Sequence, residues 1–276
     1  MISFSRAKYK QAQLQVAMAT KSIDNVKLIF QKKITSGDII RGCCMSIHGD
    51  CFFTDHYKKK RLIAISFSGT LKYNMSLDPS DGFDIIFINE KTVAITSGNS
   101  RVNTGIDIIN SESRSKIKFI KLPNCPYGIT RDGDSLFVCV LRHGIYKVNT
   151  LDDTTSLVIS QSSIDYNSYV SVFTDKIYYT DGNSVVCCDR NGSRVWTFKY
   201  NSILKKPSGI TVNNDGNVYV VGERSCNVVI ISNNGKQHKE ILTKTDGLNE
   251  PSPIFLINRT GNFLLQILRK RCFFTM

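Results

Sequence analysis

The chain has 276 residues with 41% hydrophobic content, enough to bury a full core in one domain or two. Lys and Arg outnumber Asp and Glu by 36 to 23, a net charge of +13 that favours acidic partners such as RNA, anionic lipid or acidic protein surfaces. No apolar run approaches the roughly 18 to 20 residues that span a bilayer. The opening Met1-Ile2-Ser3-Phe4-Ser5-Arg6 lacks the apolar stretch of a secretory signal, so the expectation is a cytoplasmic protein with no membrane partner.

In chain order, Arg6 to Ala19 is rich in Lys, Gln, Ala and Leu without Gly or Pro. It predicts a short N-terminal helix, either the tail of a longer coiled coil or a solvated terminal helix, with residues 1–22 as a linker. A homodimer would have to form through a longer coiled coil than this chain carries. From Ile23 the texture turns to β-branched and aromatic runs of four to seven residues, separated by Gly, Asn, Asp and Ser.

Those runs repeat. Pro207-Ser208-Gly209-Ile210-Thr211-Val212 is followed by an Asn214-Asp215-Gly216-Asn217 turn, then Val218 to Val221 and Val228 to Ile231. The same order follows Pro126-Tyr127-Gly128-Ile129. With Gly42, Asp84, Gly128, Val170, Gly209 and Pro253 as equivalents, successive spacings are 42, 44, 42, 39 and 44 residues, close to the roughly 40 to 50 of a propeller blade. The prediction is an all-β, six-bladed β-propeller over residues 23–276. Regular spacing argues against a β-sandwich, which has no reason to restart one pattern. Val26 to Gln31 is the expected donor strand to the last blade, which looks incomplete after Gln266 and suggests truncation or a faulty gene model.

The Pro207-Ser208-Gly209-Ile210 run, Asp215 to Gly222, Trp196-Thr197-Phe198 and Asp246-Gly247-Leu248 before Pro251 resemble the NHL-type propellers at the carboxyl end of tripartite-motif proteins, especially their invertebrate members. The resemblance covers about Lys21 to Gln266. It implies a target-recognition module of a ubiquitin-ligase family whose intact members carry RING, B-box and coiled-coil segments. No residue here matches the zinc-ligand patterns of RING or B-box, so ligase chemistry does not carry over. Some relatives bind RNA on the propeller, which the resemblance makes the alternative to a protein target.

Catalytic signatures are absent: no Cys-x-x-Cys, Gly-x-Ser-x-Gly, Gly-x-Gly-x-x-Gly or His-Glu-x-x-His occurs. A calcium-dependent propeller hydrolase is the remotest reading, because Asp132, Asp134 and Asp215 sit where turn chemistry already explains them. Cys44, His48, Cys51 and His56 alternate across a strand-turn-strand unit rather than presenting a cysteine pair ahead of a histidine-bearing helix, so neither a metal nor another cofactor is expected. The nine cysteines, an odd number lying largely in apolar runs, read as reduced core residues.

The wider loop between the second and third strands of each repeat should emerge on one face. That face would carry Lys58, Lys59, Lys60 and Arg61, then Arg101, Arg142, His143, Arg224 and Arg269 to Arg271, with Lys205 and Lys206 from a linker, and both Tyr57 and Tyr127 placed to stack on bases. Asp55, Asp84, Asp165, Asp181, Glu223 and Glu250 should share it and dilute the field. A protein target is the first expectation and RNA the second.

Overall fold

The computed structural model describes residues 23–26, 30–35, 39–56, 59–100, 102–258, 262–268 and 271–275. The strands pair into four-stranded antiparallel sheets arranged as a β-propeller. Five sheets use four consecutive strands each. In order they are Ile40–Met45, Cys51–Asp55, Arg61–Ile65 and Leu71–Ser76; Ile85–Phe87, Thr92–Thr96, Gly105–Asn110 and Ser115–Lys121; Pro126–Asp132, Ser135–Val140, Gly144–Asn149 and Thr155–Ser160; Val170–Phe173, Lys176–Thr180, Val185–Asp189 and Arg194–Phe198; and Pro207–Val212, Val218–Gly222, Asn227–Ile231 and His238–Leu242. A further sheet is composite: Ile254–Asn258, Asn262–Leu268 and Arg271–Thr275 come from the end of the chain, and Phe30–Thr35 from its beginning.

That composite sheet corrects two expectations. The donor strand is Phe30–Thr35, not Val26 to Gln31, and it pairs with Arg271–Thr275. The strands that looked missing after Gln266 are present as the end of Asn262–Leu268 and as Arg271–Thr275. Val26, with Ile23, instead packs against Tyr219, Val221 and Val228 of the fifth sheet. The helix expected over Arg6 to Ala19 lies outside the described residues. Among those described, the only helices are the short 3-10 turns Ile23–Asn25 and Lys244–Asp246.

The first strand of each sheet lies at the axis and touches the first strands of its neighbours. Sheets stacked around an axis bury both faces of their middle strands, so these read as unbroken apolar runs rather than as alternation. Cys51–Asp55 and Val218–Gly222 are buried along their whole length. The outermost strands differ: Ser115–Lys121 is exposed except at Ile120 and carries Lys116, Lys118 and Lys121. Lysines on an open edge discourage pairing with another chain.

The repeated glycine serves the axis. A Cβ on Gly42, Gly128 or Gly209 would stand 2.6 Å from Asp84 Cα, 2.4 Å from Tyr169 Cα or 2.3 Å from Ser252 O, each just ahead of the first strand of the next sheet. Close approach of backbones therefore demands glycine there, and the larger Asp84 occupies the equivalent place in alternation. Threonine hydroxyls add a lock between sheets. Thr54 Oγ1 accepts from Gly42 N at 2.8 Å and donates to Phe83 O at 2.5 Å; Thr96 Oγ1 accepts from Asp84 N at 2.9 Å and donates to Tyr127 O at 2.6 Å. Tight turns at the opposite ends of the strands follow local chemistry: Asn213 Oδ1 accepts from Asp215 N and Asn217 N, and Gly216 takes the positive φ of 77°.

Candidate binding face and axial mouth

In an up-and-down sheet, alternate connections emerge at opposite ends. The loops between second and third strands therefore share one face with the linkers from each sheet to the next. Every described residue of the predicted basic set belongs to this face or borders it, but their environments differ. Arg142, His143, Lys205 and Arg224 are exposed. Arg142, Lys205 and Arg224 make no ion pair among the described residues.

Others are already neutralised. Lys60 Nζ lies 2.9 Å from Asp81 and 3.7 Å from Asp78, and this pairing holds its ammonium above the usual lysine range. Arg61 is a strand residue whose Nε donates to the buried Asp55 at 2.9 Å. Lys206 Nζ reaches Glu223 Oε1 at 3.0 Å. Lys59 is exposed. Tyr57, Lys58, Arg101, Arg269 and Lys270 lie outside the described residues, and Arg271 opens a strand rather than a loop.

Tyr127 is corrected. It is 1% exposed and packs edge-on against Phe83 with ring centroids 5.0 Å apart, so it cannot stack on a base. Its hydroxyl donates to Asn99 Oδ1. Asp84 is also corrected: it sits at the axis, buried, not on the face. Its Oδ1 accepts from Ile85 N and its Oδ2 from Ile129 N, both at 2.9 Å, but burial dominates and pushes the carboxyl up to about 7.

Three hollows open on the face, the largest, of about 850 Å³, beside Lys60, Asp78, Asp81 and Asn99; the other two meet at Tyr166. One, of about 440 Å³, lies between the fourth and fifth sheets. Asp165 and Asp181 form one wall; Lys205, Lys206 and Arg224 form the other, with half-exposed Tyr166 between. The second, of about 220 Å³, is the mouth of the axis, lined by Arg41, His56, Phe83, Asn99, Tyr166 and Asn167 together with Ile39. Tyr166 borders both.

The 161–169 linker builds the wall they share. Asp165 Oδ1 accepts from Asn167 N at 2.9 Å, and Ser168 Oγ accepts from Asp165 N at 3.0 Å, so a side-chain turn fixes Tyr166 and Asn167 in place. Asn167 Nδ2 donates to Glu223 Oε2, and Arg41 Nη1 lies 3.6 Å from the same oxygen. Below the mouth, Tyr169 donates its hydroxyl to Arg41 O at 2.6 Å and packs on Phe83 at 5.4 Å, closing the axis. A second chamber of about 230 Å³ lies beyond, lined by Asp84, Tyr169 and the inner strands.

His56 Nδ1 is 3.2 Å from Gly82 O, and the ring is 7% exposed. Burial, then the charge of Arg41, holds its pKa below the ordinary value, so it is neutral at physiological pH. His48 is an exposed turn residue, while Cys44 and Cys51 are fully buried in separate apolar clusters. Among the described residues no three His, Cys, Asp or Glu side chains gather as metal ligands would.

Sequence reading had placed Asp165, Asp181 and Glu223 here but missed Arg41, Asn99, Tyr166 and Asn167. Their signal was weak: 161–169 is one of the longer linkers between sheets, and it sets an aromatic between two polar residues.

No protein-family model matches the chain, and no curated protein matches it in sequence. Solved structures do resemble it. Virginiamycin B lyase from Staphylococcus aureus superposes with a TM-score of 0.66 at 17% identity, covering 91% of this chain and 99% of that one. Regucalcin, a calcium-binding protein from Agrobacterium tumefaciens, gives 0.67 at 12% identity, covering 87% of both chains. A chain of the nidogen–laminin complex gives 0.62 at 11% identity, covering 75% of this chain and 81% of that one. Identities this low carry the architecture alone: the chain has a β-propeller fold.

Proposed function

We propose that this chain is a binding module that recognises a protein target through its loop-and-linker face, as the tripartite-motif resemblance of its repeats implies. In this reading it acts by binding and not by turnover. One observation carries it: the cleft between the fourth and fifth sheets sets Asp165 and Asp181 against the unpaired Lys205 and Arg224, with half-exposed Tyr166, its ring 5.4 Å from Lys206 Nζ, between them. A polyanion would meet repulsion from the acidic wall. A polypeptide offers side chains of both signs and apolar area for the tyrosine, and interfaces are enriched in Tyr and Arg.

A structural neighbour is a chain of the nidogen–laminin complex, which is compatible with such use of a propeller. Cys43, Cys44, Cys51, Cys125, Cys139, Cys187, Cys188 and Cys226 are free thiols, most of them buried, which suits the reducing cytoplasm. RNA remains the second reading, favoured by the exposed and unpaired Arg142, Lys205 and Arg224 within a chain of +13 charge.

The test is crosslinking in cells followed by capture, comparing the native chain with a Lys205→Glu, Arg224→Glu double variant. The proposal expects a discrete protein partner that survives ribonuclease treatment and is lost from the variant. Recovery of RNA alone, or of the same proteins at equal yield by both chains, would overturn it.

A further inference from the structure

We infer that the cleft between the fourth and fifth sheets recognises a polypeptide segment by two side chains of opposite charge, an acidic one held by Lys205 and Arg224 and a basic one held by Asp165 and Asp181. The inference rests on the protein-target reading and adds the chemical determinant that the target must carry.

The basic wall is the unbalanced one. Strands Pro207–Val212 and Val218–Gly222 continue as a bonded pair beyond their ends: Glu223 N donates to Lys206 O at 3.1 Å and Arg224 N to Lys205 O at 3.2 Å. The first contact joins residues of opposite charge, and Lys206 Nζ reaches Glu223 Oε1 at 3.0 Å. The second joins two cations. Like charges opposed across neighbouring strands repel where opposite charges attract, and among the described residues neither Lys205 nor Arg224 has an ion pair to offset this. Both are exposed and both line the hollow, so an anionic group that enters it meets two uncommitted charged donors.

The facing wall is acidic and fixed. Asp165 Oδ1 accepts from Asn167 N at 2.9 Å, and Asp181 Oδ1 accepts from Ser184 N at 2.9 Å and Ser184 Oγ at 2.7 Å, so each carboxylate is held on its own side. A Cβ on Gly182 would stand 2.7 Å from Asp165 Oδ2, so glycine lets that oxygen lie against the turn that carries Asp181. Among the described residues no ion pair joins the two walls, and a hollow of about 440 Å³ keeps them apart.

A ligand of one charge satisfies one wall and is repelled by the other. A ligand with both charges satisfies each, and the gap between the walls places them on different side chains of one segment. Tyr166, 51% exposed, lies between; its ring already has one cation, Lys206 Nζ, 5.4 Å from its centroid. Aromatic faces attract guanidinium more often than ammonium, so arginine is the basic residue the cleft favours. Pockets that enclose small molecules are mostly apolar, whereas this lining is polar apart from Tyr166 and the buried Leu204, which suits a chain lying across it.

The experiment titrates the full chain with blocked peptides in which one Arg and one Glu are separated by none, one or two glycines. Controls replace Arg, Glu or both by Gln, and the backbone amides of Gly182 and Arg224 are followed by NMR at about 0.05 M salt, where exposed charges are less screened. The best mixed peptide should bind saturably and at least about fivefold more tightly than any control, a large effect for exposed ion pairs. The Lys205→Glu, Arg224→Glu double variant, at exposed positions, should lose the mixed peptide and prefer one with two arginines, a reversal that a distorted chain would not give. 4-Aminobutyrate, with both charges on one small molecule, should bind more weakly than the mixed peptide. Equal binding of mixed and singly charged peptides, an unchanged preference in the variant, or 4-aminobutyrate matching the peptide would overturn the inference. Absence of mixed-peptide binding while a captured protein still depends on Lys205 and Arg224 would overturn it and leave the protein-target reading standing. Mixed-peptide binding with no protein captured would sink that reading and keep the charge chemistry of the cleft.

Discussion

Asp84 Cα stands only 2.6 Å from the point where a Cβ on Gly42 would lie, so the inner strands of two neighbouring sheets meet backbone against backbone. Gly42→Ala should therefore push the sheets apart and destabilise the chain by about 2 to 3 kcal/mol, the scale of overpacking a tight core. Gly133→Ala is the control: nothing lies within 4 Å of its Cβ, and only its φ of 56° opposes the change, at about 1 kcal/mol. Urea unfolding of both variants would decide it, and equal losses would refute the account of the axis.

Asp84 itself should make stability depend on pH. Burial raises its folded pKa to about 7 from an ordinary value of 3.8, so the folded chain holds a proton that the unfolded chain releases. The associated stability is complete below about pH 4 and is lost as pH rises through 7. Asp84→Asn removes this titration, so the variant should gain on the native chain by about 2 to 3 kcal/mol between pH 5 and 8. His56 acts with the opposite sign: its lowered pKa means that stability falls as pH drops through the ordinary histidine range. A stability difference between Asp84→Asn and the native chain that stayed constant with pH would show that Asp84 is not the source.

The threonine lock predicts a contrast between two conservative changes. Thr54→Val removes the donor to Phe83 O and the acceptor for Gly42 N in a buried place and should cost about 2 to 3 kcal/mol. Thr54→Ser retains the hydroxyl and should cost under about 1.5 kcal/mol. Thermal unfolding of the pair reads this directly; similar losses would mean that the methyl group, not the hydrogen bonds, matters.

The RNA reading can be separated by salt. If the exposed arginines and lysine make only a diffuse field, a short oligouridine should bind in the non-specific range, weaker than about 10⁻⁶ M at physiological salt, and the combined change of Arg142, Lys205 and Arg224 to Glu should abolish it. Tight binding that persisted at 0.2 M salt and survived these changes would favour RNA through other residues.

Closure of the composite sheet gives a last test. Arg271–Thr275 pairs on one side with Phe30–Thr35 and on the other with Asn262–Leu268. Deleting residues 271–276 would open two edges at once and should lower Tm by about 5 to 10 °C, since a few kcal/mol moves a domain of this size by a few degrees each. An unchanged Tm would mean that the ring does not depend on this strand.

Much of the architecture was legible because it is local and periodic. β-branched runs, turn residues and the spacing from Gly42 to Pro253 repeat along the chain, and each repeat folds mainly by pairing with residues a few positions away. What was not legible depends on groups far apart in sequence. The composite sheet joins the two ends of the chain; the need to close a ring announced that an early strand would be donated, but no local pattern fixes its bounds, so the donor was placed four residues early and the last strands were taken as missing. Tyr127 and Lys206 look alike in sequence to exposed recognition residues. Only the packing of Phe83 against one and the approach of Glu223 to the other decided that the first is core and the second is neutralised. The charged cleft is the extreme case. Asp165, Asp181, Lys205 and Arg224 come from separate loops and linkers, and their opposed charges acquire meaning only where the ring brings them together. Sequence determined the repeating unit, because short-range pairing and turn chemistry are written locally; tertiary structure alone decided the site, because it is made where the repeats meet.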